Sequence, residues 1–193
     1  MDEHNWDDRV DHLEREGVDL LEVITVAATW AGQLAGPVRR IVDVGSGPGV
    51  GTCELARCFP DAQVLAIDAS RPMLERVIER STSLGVADRV AVQLAELPNG
   101  IDGLGAADIV FASMSLHHIP HPDQALASIR RLLTGEGLLV VIEHGPSAVH
   151  GHAPTIETPS VLMASGFEVI GDRFSSDRLI IIGRPEDRSP QSP

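Results

Sequence analysis

The 193-residue chain contains neither lysine nor tyrosine. A lysine Schiff base is thereby excluded as a catalytic device, and tyrosine cannot act as a general base. Aromatic side chains make up only 3% of the residues, too few for base-stacking platforms. Positive charge is scarce too: 15 arginines stand against 28 acids, for a net charge of −13. Such a surface is a poor match for phosphate backbones, so a nucleic-acid partner is not expected. The two cysteines, Cys53 and Cys58, fall on one expected helix at a spacing that suits neither a metal nor a disulfide framework. They read as small buried residues in a reducing cytoplasm. No apolar run approaches the roughly 18 residues that a membrane span needs, so no membrane partner is expected. The opening residues, Met-Asp-Glu-His-Asn-Trp-Asp-Asp, are acidic and unlike a secretory signal. With 43% hydrophobic residues, the length suits one soluble domain with a full core.

What the chain does have is a glycine-rich turn behind an apolar run. Residues 41–51 read Ile-Val-Asp-Val-Gly-Ser-Gly-Pro-Gly-Val-Gly. The run Val38 to Val44 is expected as a strand, and a helix follows from Thr52 to Phe59. A strand feeding a glycine turn and a helix start is a nucleotide-cofactor site. Glycine lets the backbone approach a ligand, and the first helical N–H groups face it. Two acids narrow the choice. Asp43 lies just before the glycines. Asp68 ends the next apolar run, Val64 to Ile67, where a carboxylate is placed to accept both hydroxyls of a ribose. A dinucleotide fingerprint, Gly-x-Gly-x-x-Gly, fits Gly45 and Gly47 but meets Val50 at its third glycine. Asp43 would repel a pyrophosphate and would favour a sulfonium or an α-ammonium group. S-adenosylmethionine therefore ranks ahead of a nicotinamide dinucleotide.

Around this motif the chain divides into three stretches. Residues 1–36 are helical in character, with eight acids and two arginines among the first twenty residues. Two helices are expected, broken at Gly17, with the second running to about Leu34 and Gly36-Pro37 ending it. The acidic face reads as solvated surface or as a lid over the cofactor cleft. An exposed lid helix would serve equally as a homodimer contact. From 37 to 184 strands and helices alternate. Strands are expected at Arg39–Val44, Gln63–Asp68, Val90–Leu94, Asp108–Ala112 and Leu138–Glu143. Helices are expected at Val50–Cys58, Arg71–Leu84 with Ser70 as N-cap, Asp102–Leu104 and Asp123–Leu133. That rhythm implies right-handed crossovers and a mostly parallel sheet covered on both faces, a three-layer α/β/α sandwich. A helix at Thr155–Ser165 then precedes strands Phe167–Phe174 and Arg178–Gly183. Ser175-Ser176-Asp177 is too short for a crossover, so this last pair must be an antiparallel hairpin. Residues 185–193 read as a flexible tail.

Several of these stretches, taken in order, resemble the class I S-adenosylmethionine-dependent methyltransferases over roughly Val38 to Arg184. Ile41 to Gly49 resembles the family's first motif, and Ala66-Ile67-Asp68-Ala69-Ser70 the acidic end of its second strand. Residues 107–126 resemble the fourth strand and its loop. Residues 129–143 resemble the next helix, turn and strand. Trp6 to Arg9 with Leu13 to Gly17 is similar to small actinobacterial members. The resemblance implies a seven-stranded sheet in the order 3-2-1-4-5-7-6 with strand 7 antiparallel. It also implies roles. Gly45, Ser46, Gly47 and Gly49 would lie against the methionine and ribose portions of the cofactor, Asp43 would anchor its amino group, and Asp68 would take the ribose hydroxyls. Ala69 and Met73 would pack near the adenine. Gln93 stands where the family often has an acid for the adenine amino group, so Glu96 would serve instead, with Ala95 and Leu97 flanking the ring. Ser113 and Met114 would line the cleft floor.

Methyl transfer from an activated sulfonium asks mainly for positioning, and for a base only when the acceptor must lose a proton. Histidine is then the natural candidate. His117 and His118 follow the fourth strand and His144 the fifth; His144 and His118 are carried forward as candidate bases against a structural alternative. His117-His118-x-x-His121, and Glu143-His144 with His150 and His152, are not compact metal motifs, and no metal is expected. Gly145 to Pro154 reads as an acceptor loop. Trp30 reads as core and Trp6 as a residue that could fold over the cofactor, while Arg9 and Arg15 either reach the cofactor carboxylate or balance local acids. The expected function is methyl transfer to a hydroxyl or amine of a small metabolite, with S-adenosylhomocysteine as product. The alternative is a protein of the same fold that binds the cofactor without transferring methyl, as a cyclase, an isomerase or a regulatory partner.

Overall fold

The computed structural model describes residues 9–119, 121–145 and 159–186. Two helices open it, α1 (Val10–Asp19) and α2 (Leu21–Leu34). The expected break at Gly17 is absent: Gly17 lies inside α1, and the chain turns at Leu20. Glycine costs a helix interior about 1 kcal/mol relative to alanine, and close packing accounts for it here. An ideal Cβ at Gly17 would come within 2.9 Å of Val50 Cγ2. α1 buries none of its residues. α2 buries Val23, Ile24, Ala27, Ala28 and Ala31, a narrow stripe of mostly small residues that lets it approach its neighbours closely.

The remaining elements alternate as expected. They are β1 (Arg40–Val44), α3 (Val50–Cys58), β2 (Gln63–Asp68), α4 (Arg71–Ser83), β3 (Val90–Leu94), β4 (Ala107–Ser113), α5 (Pro122–Leu132), β5 (Leu133–His144), α6 (Pro159–Ala164), β6 (Phe167–Ser175) and β7 (Arg178–Pro185). Ser70 caps α4, its Oγ accepting the Met73 N–H, and Pro72 sits in the first turn. The seven strands form one sheet in the order β3-β2-β1-β4-β5-β7-β6. Strands β1 to β5 pair in parallel, and β7 runs antiparallel to both its neighbours. The resemblance implied this topology, and the short β6–β7 connection already required a hairpin.

Alternate strand residues feed two cores. Val42, Val44, Val110, Leu139 and Val141 pack with Leu126 and Ile129 of α5 and Leu162 of α6. Ile41, Ile109, Leu138 and Val140 pack on the other face with α2 and α3. β7 reads Leu-Ile-Ile-Ile at 179–182 because both its faces are buried. Two expectations change. β5 begins at Leu133 rather than Leu138: Leu133 pairs with Ala107, and the ladder resumes at Leu138 opposite Ile109, so Thr134 to Gly137 are carried across a register shift. Asp102–Leu104 is turn, not helix. The part of the last expected helix before Pro159 lies outside the described residues. Among them, no helix is long and apolar enough to cross a membrane.

Candidate cofactor and acceptor site

At Val44 the chain leaves β1 and turns at once. Gly45, Gly47 and Gly49 take φ values of +65°, +51° and +83°, a region that side chains rarely allow. The Gly45 and Ser46 N–H groups donate to the Ile67 carbonyl at 2.8 and 3.0 Å, tying the turn to the end of β2. An ideal Cβ at Gly45 would stand 2.5 Å from Ser115 Cβ, and one at Gly49 2.8 Å from Val77 Cγ2. At Gly47 it would meet nothing within 4 Å, so there the backbone lies bare to open space. Asp68 is half-buried beside it. Its Oδ2 accepts the Gly47 N–H at 2.8 Å and its Oδ1 the Ser70 N–H at 2.9 Å. A carboxylate oxygen can accept more than one hydrogen bond, as a contact with a diol requires.

Asp43 lies beneath the turn on the α3 face, 2% exposed. Its Oδ2 accepts the Thr52 hydroxyl at 2.6 Å. Burial pushes its carboxyl up to about 7; the Thr52 hydrogen bond pulls the other way, and the Asp68 charge adds to the rise. A cation arriving beside it would favour the ionised form. The folded protein therefore holds this proton between about pH 4 and pH 7, where the unfolded chain has released it. The group's contribution to stability is full below the unfolded value of 3.8 and is lost as pH rises through 7. Asp43→Asn, which cannot ionise, should gain stability over the wild type as pH rises through that window and then level off, by an amount on the order of a few kcal/mol. Thermal melts of both proteins without ligand from pH 4 to 8 check this. A constant difference between the two would contradict it.

A second group gathers at the carboxyl ends of β4 and β5. Met114, at φ +52°, turns the chain out of β4. Ser115, buried, donates its hydroxyl to the Val44 carbonyl at 2.8 Å. A 3-10 turn over Leu116–His118 follows. His117 Nδ1 lies 2.6 Å from Glu143 Oε2, at hydrogen-bond distance. Glu143 is fully buried, and among the described residues its Oε1 has no hydrogen-bond partner. A carboxylate on Nδ1 holds the neutral ring in the tautomer whose Nε2 can accept a proton. The His118 ring lies 3.9 Å from that of His117 between centroids, and His144 lies at 5.9 Å. His118 is exposed and His144 half-buried. The residue pattern puts His144 and His118 forward as bases; the geometry adds His117 to them, through its contact with Glu143.

Residues 42–139 match the family described as "Methyltransferase domain". That is more than half of the chain. The chain belongs to this family. A malonyl-[acyl-carrier protein] O-methyltransferase from Laribacter hongkongensis is 30% identical over 147 residues, covering 74% of this chain and 48% of that protein. A trans-aconitate 2-methyltransferase from Methylobacterium nodulans is 29% identical over 131 residues, covering 68% of this chain and 45% of that protein. This chain thus spans just under half the length of these two relatives. An O-methyltransferase family protein from Burkholderia thailandensis superposes with a TM-score of 0.77 at 17% identity, covering 97% of this chain and 61% of that one. The resemblance to class I S-adenosylmethionine-dependent methyltransferases is borne out, and the family implies that cofactor.

The residues present fit it. Bare backbone at Gly47, a half-buried carboxylate at Asp68 and a buried one at Asp43 suit a ligand with a ribose and a cation. Gly45, Ser46, Gly47, Gly49, Asp43 and Asp68 come together at one sheet edge. Ala95 joins them, its N–H donating to the Asp68 carbonyl at 3.0 Å. Ala69 and Glu96 are exposed, Ser113 and Met114 half-buried, and Leu97 buried. Met73, on α4, is buried, 1% exposed. Gln93 spends its amide on the Gly100 carbonyl at 3.2 Å, bracing the loop after β3, which gives a structural reason for an amide where an acid was expected. Trp30 packs against β6 beneath Arg173, whose guanidinium carbon lies 4.3 Å from the ring centroid. Trp6, His150, His152 and residues 146–154 lie outside the described residues. Among the described residues, no group of three or more His, Cys, Asp or Glu is placed to hold a metal ion. Thr52 and Ser115 carry no motif and would be found from sequence only by knowing what packs on the turn.

Proposed function

We propose that this chain transfers the methyl group of S-adenosylmethionine to a hydroxyl of a small-molecule metabolite in the cytoplasm, with His117 as general base. The observation that carries the reading is the His117–Glu143 hydrogen bond at the β4–β5 edge. The backbone of Gly45 to Gly49 would hold the methionine and ribose portions, Asp68 the ribose hydroxyls, and Asp43 the ammonium group. Ala69, Ala95, Glu96 and Leu97 would border the adenine, with Ser113 and Met114 below the sulfonium. Bound there, the cofactor supplies a methyl group already activated for in-line displacement. The protein's own work is then to orient the acceptor and remove its proton. A carboxylate acceptor is already ionised at neutral pH and needs no base. A hydroxyl keeps its proton and needs one, and Glu143 stabilises the imidazolium that results. The net charge of −13 and the absence of lysine support a small acceptor over a nucleic acid.

The test is a panel of phenols, alcohols, amines and carboxylic acids incubated with protein and S-adenosylmethionine, with S-adenosylhomocysteine read by mass spectrometry. Turnover with hydroxyl acceptors, rising with pH as a histidine loses its proton, is expected. Turnover with carboxylic acids alone would remove the need for a base. Cofactor binding without turnover on any class would favour the non-methylating alternative.

A further inference from the structure

The acidic helix α1 is held to the protein by charge more than by packing. None of its residues is buried. Glu14 lies between two arginines of α4: Arg80 Nη1 donates to its Oε1 at 2.8 Å, and Arg76 Nη1 donates to its Oε2. Arg76 Nη2 also donates to Asp11 Oδ1 at 2.9 Å, and its Nε faces Glu79 at 3.3 Å. The side chains of Glu14, Arg76 and Arg80 are 24%, 28% and 21% exposed, so this bridge is screened less than a surface pair. His12 and Glu16 of α1 pair with each other, both about half exposed.

The contacts of α1 fall on the two walls of the glycine turn. Gly17 lies against Val50, the first residue of α3 and the next after Gly49. Gly49 itself packs on Val77 of α4, and the arginines that hold Glu14 stand at 76 and 80 on that same helix. One short helix thus straps together α3 and α4 behind the cofactor turn. The glycine at 17 allows the close approach, and Glu14 fastens it.

We propose that α1 is a charge-clamped strap whose release, by opening of the Glu14–Arg76–Arg80 bridge, sets how fast the cofactor enters and leaves the glycine turn. This rests on the cofactor reading of that turn. Raised ionic strength weakens the clamp and speeds exchange. Two variants test it through different physics. Glu14→Gln removes the charge. Gly17→Ala raises helix preference yet drives a methyl into Val50.

Hydrogen exchange of the ligand-free protein reports α1 directly, with β4 and β5 amides as the control for folding. Stopped-flow release of S-adenosylhomocysteine reports the site. In both variants α1 amides should exchange about tenfold faster, a loosening of roughly 1.4 kcal/mol, while β4 and β5 hold their protection. Release of S-adenosylhomocysteine should quicken several-fold. Wild-type release should quicken with added sodium chloride, and Glu14→Gln should respond much less. Unchanged α1 exchange in Glu14→Gln would overturn the clamp. Faster exchange with an unchanged release rate would overturn the link to the cofactor. Absence of S-adenosylhomocysteine binding to the wild type would instead overturn the cofactor reading beneath it, and the exchange data would still show whether the clamp exists.

Discussion

Asp68→Ala is expected to weaken S-adenosylhomocysteine binding about a hundredfold, roughly 2.7 kcal/mol. Two losses add. The carboxylate can give charge-assisted hydrogen bonds to both hydroxyls of a ribose, and these are the stronger kind. It also accepts the N–H groups of Gly47 and Ser70, so alanine leaves the bare stretch of the turn and the start of α4 without their acceptor. One effect runs the other way. The Asp68 charge helps to hold the Asp43 carboxyl up, and its removal lets Asp43 ionise more readily for a cationic ligand. Asp68→Asn keeps one oxygen acceptor and should fall between wild type and alanine. Calorimetric titration of the three proteins checks the ranking. Equal affinities would mean that Asp68 braces the turn and does not touch the ligand.

His117→Ala should cost turnover on the order of a hundredfold to ten-thousandfold, the usual worth of a positioned base. S-adenosylhomocysteine affinity should stay at the wild-type value, because the ring belongs to the acceptor side. Glu143→Gln should approach the same loss through a different route. An amide can offer N–H to Nδ1, which favours the tautomer with the proton on Nε2, where it cannot accept another. The wild-type rate should fall at low pH as His117 takes a proton, and that limb should vanish in His117→Ala. The comparison that decides is with His144→Ala and His118→Ala, measured with an acceptor found in the panel. A larger loss in His144→Ala than in His117→Ala would return the base to His144.

Those two histidines show where residue order stops being informative. Glu143 and His144 are neighbours in sequence and invite a joint role. On a strand, neighbours point to opposite faces. Glu143 shares its face with Leu179, opposite it on β7, which packs in the α5 core. Its real partner, His117, lies 26 residues away and is brought to it by the β4–β5 pairing. The glycine turn was legible because its physics is local: left-handed backbone, a strand before it, a helix after it. The strand and helix alternation was legible for the same reason, from hydrophobic period and the N-cap at Ser70. Gly17 reads as a break in the sequence because nothing in α1 itself explains it; Val50, thirty-three residues on, does. The early start of β5 has the same origin, since Leu133 pairs with Ala107 of β4 on the far side of a register shift.

Calorimetric titration of the wild-type protein with S-adenosylmethionine, S-adenosylhomocysteine and NADH tests the central claim most directly. Binding of both sulfur ligands at micromolar affinity, with none for NADH, is the predicted result. Failure of both to bind, or a preference for NADH, would contradict the account of the glycine turn, Asp43 and Asp68 on which the rest depends.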